Sequence, residues 1–482
     1  MNNNKKTILH RDRVIDNPIN VIHLGLGAFY RAFACSYFQR MNEIKSGSVR
    51  VMGVSLRNPD LIRILERQDG LFTAVEKGPK GQVPRILDSI HEVIFAPDDP
   101  LYLLSSLADP SVSLVTLTVT EKGYCLVPSS GELNFEHPDI LYDIGHAETP
   151  RSAIGYLVHA LNLRRKKGIL PFTCLSCDNL PSNGVVLGNA VRQFAKRINS
   201  ELFDWISDNV IFPSSMVDRI VPSISSNDVD LLQEILPYKD DSPIIHEPYS
   251  LWVIENKFVE GLKLNFEAAG VYVVPDVQLF ERMKLRCLNG THSALAYLGY
   301  LAGFKTIFEV ASDPVFEFFL ISIWANEIIP GVEPPPNFIL SDYSKELLVR
   351  YKNPNIEHLT KQIAMDGSQK LPQRILETID ENLQNNRPID LLCEAVVGWI
   401  RYTGGKDEFG TKIDVVDPNA YELFNAHQAS KNIEDLIVRY LDFDNIFSKN
   451  LRESLVFKLK LEQGLERHQR LGTLKSLGEV LK

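Results

Sequence analysis

"VIHLGLGAFYRAF", residues 21–33, decides how the first half of this 482-residue chain is read. Apolar residues run to Leu24, glycines follow at Gly25 and Gly27, and the amphipathic stretch "AFYRAFACSYFQRMNEI" takes over. A strand, a glycine turn and the start of a helix make the opening of a βαβ unit. Two glycines at such a turn let the backbone approach a pyrophosphate. The first N–H groups of the helix, those of Ala28 and Phe29, add partial positive charge. The third glycine of a G-x-G-x-x-G pattern is absent, with Tyr30 in its place. Alone, the glycine pair is equally well an ordinary turn; its place after the first strand favours a nucleotide.

Outward from this stretch the alternation continues. "VRVMGVSL" predicts a second strand, "NPDLIRILERQ" a helix, and "LFTAVEK" and "IHEVIFAP" further strands. "VSLVTLTVT" and "GILPFTCLSC" are apolar runs typical of buried central strands. Between them lies "TPRSAIGYLVHALNLRRKKG", a helix opened by Thr149 and Pro150 and closed by Gly168. The rhythm predicts an α/β domain with a mostly parallel, doubly wound sheet. An acid gripping the adenosine ribose belongs near the end of the second strand, where "GVSLRNPD" offers Arg57 and Asp60. Asp60 favours NAD and Arg57 a 2′-phosphate, as in NADP; Asp60 equally suits the first turn of a helix. NAD is the cofactor adopted.

After about residue 276 helical periods dominate, as in "PVFEFFLISIWANEII", "PIDLLCEAVVGWIRYT" and "SLVFKLKLEQGLERHQ". The expected division is 1–276 for a nucleotide-binding domain and 277–482 for a mostly α-helical domain carrying the substrate chemistry. At the junction stands "FERMKLRCLNGTHS", residues 280–293. On an α-helical wheel with Lys284 at zero, Glu281 falls near 60°, His292 near 80° and Asn289 near 140°. Four polar groups thus share one face, and the segment runs on into the apolar "ALAYLGYLAG". A lysine at the mouth of a buried helix either snorkels to water or sits in a site. Clefts between domains are favoured places for small ligands.

Composition excludes several classes. The chain is 44% hydrophobic and 23% charged, with net charge −10, so disorder and nucleic-acid binding are both disfavoured. The one basic cluster, "NLRRKKG", is read as a solvated helix end. No apolar run reaches the roughly 18 residues of a membrane span, and "MNNNKKTILHRDR" lacks the core of a signal peptide. The expectation is a cytoplasmic protein acting on small molecules, without membrane, as a monomer or homo-oligomer. Six cysteines suggest no disulfide framework, and Cys174 and Cys177 in "FTCLSC" are read as two small buried side chains without a zinc partner set.

Taken together, "GLGAFYRA", "TLTVTEKGYC", "SCDNLPSNG", "FPSSMVDRIVP", "EPYSLWVIE", "MKLRCLNGTHS" and "IAMDGSQKLPQR" resemble the polyol-specific long-chain dehydrogenases. That family includes mannitol 2-dehydrogenase and fructuronate reductase, and the resemblance covers nearly the whole chain. It implies a Rossmann-type N-terminal domain, a helical C-terminal domain, NAD and no catalytic metal. It makes Lys284 the general acid/base, Asn179 and Asn289 the amides that polarise the reacting oxygen, and His292 a substrate-binding histidine. Asp218 and Lys370 fall near the substrate, with Arg374 beside Lys370 as a second cation for a carboxylate. Glu281 is linked to proton exchange with solvent, and Thr120 and Glu121 form a loop beside the cofactor. Tyr30 and Phe33 stand where the family pattern has histidines, which leaves backbone binding intact. Gln362 stands where mannitol-type members carry arginine, and "DGSQKLPQR" looks more like the hexuronate reductases.

The chemistry is consistent with these residue types. Oxidising a secondary alcohol requires a base for the oxygen's proton, and a lysine serves only when its pKa falls from about 10.4 toward about 7–8. Uncharged amides stabilise oxyanion character as it develops. The expected reaction is D-fructuronate and NADH to D-mannonate and NAD; the alternatives are a neutral polyol such as mannitol or arabinitol, or a nucleotide sensor without turnover. A Tyr-x-x-x-Lys dehydrogenase is disfavoured, because its only match, Tyr402 to Lys406, spans two glycines.

Overall fold

The computed structural model describes residues 6–12, 17–127 and 130–482. The chain divides into two compact units, Met1–Gln278 and Leu279–Lys482.

Five strands of the first unit form one parallel sheet: β1 (Val21–Leu24), β2 (Val51–Ser55), β3 (Ile90–Phe95), β4 (Leu114–Leu117) and β5 (Thr173–Ser176). Their spatial order is β3-β2-β1-β4-β5, so the chain reverses direction of travel across the sheet between β1 and β4. β1, β2, β4 and β5 are buried throughout, which is why they appear in the sequence as apolar runs. Successive residues serve two separate cores. Ile22, Leu24, Met52, Val54, Val115 and Leu117 join one; Val21, Val51 and Leu114 join the other, with Trp252 and Phe38. Cys174 and Cys177 are both buried and free, and they sit in opposite cores, so no disulfide joins them.

Several expectations need correction. "LFTAVEK" does form a strand, Phe72–Gly78, but in a separate sheet, paired antiparallel with Gly81–Leu87 and parallel with Ile244–His246. The stretch after the glycine turn is two helices, α1 (Ala28–Ala32) and α2 (Ala34–Ile44). They break because the Ala32 carbonyl is taken by the Arg219 guanidinium at 2.6 Å and the Ser36 hydroxyl at 2.7 Å. After β2 comes α3 (Pro59–Arg67), and before β5 comes α4 (Ala153–Lys167). Ser152, not Thr149, caps α4, its side chain accepting from the Gly155 N–H at 2.9 Å while Asp143 holds Ser152 in turn. Gly168 ends the helix in the left-handed region at φ 67°, as expected. The basic cluster at that end is only partly solvated. Arg164 is 1% exposed and donates to the carbonyls of Leu107, Asp109, Val112 and Leu170.

The second unit is helical. Its centre is α5 (Thr291–Leu301), buried on almost every side and packed against α6 (Asp390–Thr403). Gly398 permits the contact: a Cβ there would lie 2.8 Å from Leu298. Three wide π turns interrupt the α-helices, at Lys284–Gly290, Trp324–Ile328 and Pro372–Leu376, and the first packs on the other two. No described helix is long and apolar enough to cross a membrane.

Candidate active site

In the first unit the predicted groups gather at the C-terminal ends of β1, β4 and β5. Gly25 has φ +98°, and a Cβ on it would come within 2.3 Å of the Thr118 carbonyl oxygen, so conformation and space both demand glycine. Its N–H and that of Leu26 bond the Val54 carbonyl, each at 2.9 Å. Gly27 differs: a Cβ there would meet only the Gly25 oxygen, at 3.7 Å. The protein leaves that space open, as a turn built for a dinucleotide's pyrophosphate requires, and Ala28 and Phe29 begin the helix beside it. Tyr30 and Phe33 are fully buried, Tyr30 stacked on His23 and Phe33 against Trp252. Both point into the core, so their departure from the family pattern leaves the turn's backbone untouched.

Thr120 starts a short helix with φ 63°, followed by exposed Glu121. Its N–H and that of Val119 donate to the Asp178 carboxylate at 2.9 and 3.1 Å, and the Tyr124 hydroxyl donates at 2.8 Å. Asp178 is 7% exposed, and burial pushes its carboxyl up against the opposing pull of these donors. Asn179 follows it and is exposed. Asn183 fastens the same loop, donating to the carbonyls of Asp178 and Ser215 at 2.9 and 2.8 Å. Ser215 begins the strand Ser215–Asp218, at whose end Asp218 is buried. Hydrogen bonds through Asp178 and Asn183 thus tie the loop after β4, the end of β5 and the strand Ser215–Asp218 into one framework. Asp178, which bonds these parts together, stands inside "SCDN" but belongs to no motif of its own.

Arg57 and Asp60 follow β2. Arg57 is exposed past the end of β2 with Asp139 at 3.7 Å. Asp60 occupies the first turn of α3, capped by Asn58, and its carboxylate lies 3.5 Å from Arg63.

In the second unit one continuous stretch carries Glu281, Lys284, Asn289 and His292. Gln278–Met283 is α-helical, Lys284–Gly290 is the π turn, and Thr291 opens α5. The 100° wheel therefore fails across the turn. A π turn closes its hydrogen bond one residue later, so Asn289 swings toward the azimuth of Lys284. Lys284 is 8% exposed, and Glu281 and Asn289 are half-buried. Position 290, the last of the turn, must be glycine, because a Cβ there would come within 2.6 Å of the Arg374 carbonyl oxygen.

His292 is buried beside His358, with ring centroids 4.7 Å apart. Burial holds its imidazole well below the usual range, reinforced by His358, Arg374, Arg350 and Lys370. It is neutral, and its Nε2 is without a hydrogen-bond partner in the structure. Burial likewise holds His358 down to about 4. Arg374 donates to the Ser293 hydroxyl at 3.1 Å; Lys370 donates to the Met365 carbonyl at 2.6 Å and lies 3.8 Å from Asp366. Burial lowers the pKa of both cations, Lys370 further through Arg374. His358 and Arg350 join this cluster from sequence positions that no local motif links to His292. Gln362 is exposed. Among the described residues no three His, Cys, Asp or Glu side chains form a metal-holding group.

Residues 19–267 match the mannitol dehydrogenase Rossmann domain, and residues 276–468 match the mannitol dehydrogenase C-terminal domain. The chain belongs to the mannitol dehydrogenase family. Within that family it is 40% identical over 441 residues to D-mannonate oxidoreductase of Escherichia coli, covering 91% of this chain and 90% of that protein. It is 36% identical over 467 residues to mannitol dehydrogenase 2 of Saccharomyces cerevisiae, covering 96% and 92%. Among solved structures, the Pseudomonas fluorescens mannitol 2-dehydrogenase ternary complex with NAD and D-mannitol matches with a TM-score of 0.85 and 33% identity, over 99% of this chain and 97% of that one. A substrate-free D-sorbitol dehydrogenase matches with a TM-score of 0.88 and 27% identity, over 98% and 97%.

Proposed function

We propose that this chain is an NAD-dependent oxidoreductase that interconverts a keto-sugar acid and its secondary alcohol, D-fructuronate with NADH and a proton giving D-mannonate and NAD. When bound, the nicotinamide supplies or accepts the hydride. Lys284 gives the proton to the substrate oxygen in reduction and takes it in oxidation. Its side chain is buried, in the same π turn as Asn289. Asn289 and Asn179 donate amide N–H bonds to that oxygen and gain strength as negative charge develops. Asp218 contacts the substrate, and Glu281 passes the proton on through water. His292, being neutral, offers a ring nitrogen to a neighbouring hydroxyl. Gly25, Gly27, Ala28 and Phe29 receive the pyrophosphate, with Thr120 and Glu121 alongside.

The observation that carries the acid over the neutral sugar is the placement of two cations at His292: Arg374 donates to Ser293, the residue beside it, at 3.1 Å, and Lys370 stands in the same neighbourhood. A carboxylate is the substrate group that such a neighbourhood favours. The 40% identity to D-mannonate oxidoreductase supports the same reading. The second reading, a neutral polyol oxidised to its ketose, is favoured by the mannitol dehydrogenases at 36% identity over most of the chain.

Absorbance at 340 nm with NADH and NADPH in parallel, across keto-hexuronates and neutral ketohexoses, separates them. Lys370→Met and Arg374→Met should each lower kcat/KM for the acid at least about tenfold more than for the neutral sugar, the size of a lost charge-assisted hydrogen bond. Equal losses would select the polyol.

A further inference from the structure

The π turn that carries Lys284 and Asn289 is held by side chains from elsewhere in its unit. The Cys287 carbonyl accepts from the Trp324 indole N–H at 2.9 Å and from the Thr291 hydroxyl at 2.6 Å. The Leu288 carbonyl accepts from the Tyr351 hydroxyl at 2.8 Å, and the Tyr351 and Thr291 oxygens are 3.0 Å apart. The Thr291 N–H turns to the Leu288 carbonyl and not to Cys287, four residues back, as an α-helix would have it. Cys287 and Leu288 are buried, so their carbonyls need partners in any register. An α register would satisfy Cys287 through the Thr291 N–H; with that N–H on Leu288, the indole satisfies Cys287 and the phenol gives Leu288 a second donor. Side chains inserted into the ladder are a known cause of such interruptions.

We infer that Trp324 and Tyr351 are positioning residues for proton transfer. They keep Lys284–Gly290 in the π register, which brings the Asn289 amide toward the face that presents Lys284. In an α register the two side chains would stand about 140° apart. Two further contacts fix the segment as a body: Gly290 against the Arg374 carbonyl, and Arg286 bonded to both carboxylate oxygens of Glu381 at 2.5 and 2.6 Å. The role rests on Lys284 being the acid/base.

The test uses the full chain with Trp324→Phe and Tyr351→Phe, which keep a ring and remove the donor. Thr403→Val is the control: it deletes a buried hydrogen bond, from Thr403 at the end of α6 to the Tyr440 hydroxyl at 2.5 Å. Each donor variant should lower kcat about 10- to 100-fold, the scale of a small misplacement of a catalytic group. KM for NADH should stay within about twofold, and the apparent pKa of the kcat profile should move by about half a unit or more, since the environment of the titrating group changes. Thr403→Val should leave kcat and its pH profile unchanged. Donor variants with wild-type kcat and profile would overturn the inference, as would an equal loss in Thr403→Val. Lys284→Ala is measured alongside: if it retains turnover, the acid/base reading and this role fall together. If it abolishes turnover while the donor variants stay silent, the positioning role alone is wrong.

Discussion

Asp178 is the residue that ties the loop after β4 to the end of β5. It holds the Val119 and Thr120 N–H groups and the Tyr124 hydroxyl in a buried place, and Thr120 keeps a left-handed φ there. Strained backbone persists only where its surroundings hold it. Asp178→Asn keeps one acceptor oxygen and turns an amide N–H₂ toward a donor, at a cost of about 1–3 kcal/mol. Thermal melting should show that loss, and NADH fluorescence titration should show weaker binding; unchanged values in both would contradict the role. The residues proposed as catalytic stand in joined motifs such as "KLRCLNGTHS", which is what brings them forward in the sequence. Asp178 was not legible there, because a carboxylate at a strand end carries no signal until its three donors are seen. His358 and Arg350 reach His292 only through the fold.

At the level of elements, the two glycines of the first turn do different work. Gly25 is fixed by φ +98° and by the Thr118 carbonyl, whereas Gly27 has open space around it. Gly25→Ala should therefore lower the melting temperature markedly, the strain alone costing about 1–3 kcal/mol. Gly27→Ala should melt like the wild type yet bind NADH about tenfold or more weakly, because its methyl occupies only ligand space. A destabilised Gly27→Ala with normal binding would show that the space serves packing. The buried strands were legible as apolar runs, and the Gly168 cap as punctuation. The π turn was not: the same letters fit an α wheel, and the register depends on Trp324 and Tyr351 from distant segments. Arg164 misled for a related reason, since a basic run shows its charge but not the carbonyls waiting for it.

At the level of the whole molecule, buried neutral histidines set the response to acid. Burial holds His23 down to about 3, His246 and His358 to about 4, and His292 well below the ordinary imidazole range. An unfolded chain protonates such groups near 6.5, the folded one only further down. The unfolded state therefore binds more protons between about 6.5 and 4, and stability falls as pH falls through that window. Melting temperatures in a buffer series should drop steadily below pH 6.5, less steeply in His246→Gln. A flat profile would mean that these rings are charged in the fold. The division into an α/β and a helical part was legible because the hydrophobic period itself changes along the chain.

The thiols have a use of their own. Cys35, Cys125, Cys174 and Cys177 lie inside the Met1–Gln278 unit, and Cys287 and Cys393 inside Leu279–Lys482, all buried and none bridged. An alkylating reagent finds nothing to modify until one of the units opens. Mapping which sulfur is tagged first, and how fast, turns the cysteines into native stopwatches for each half of the protein.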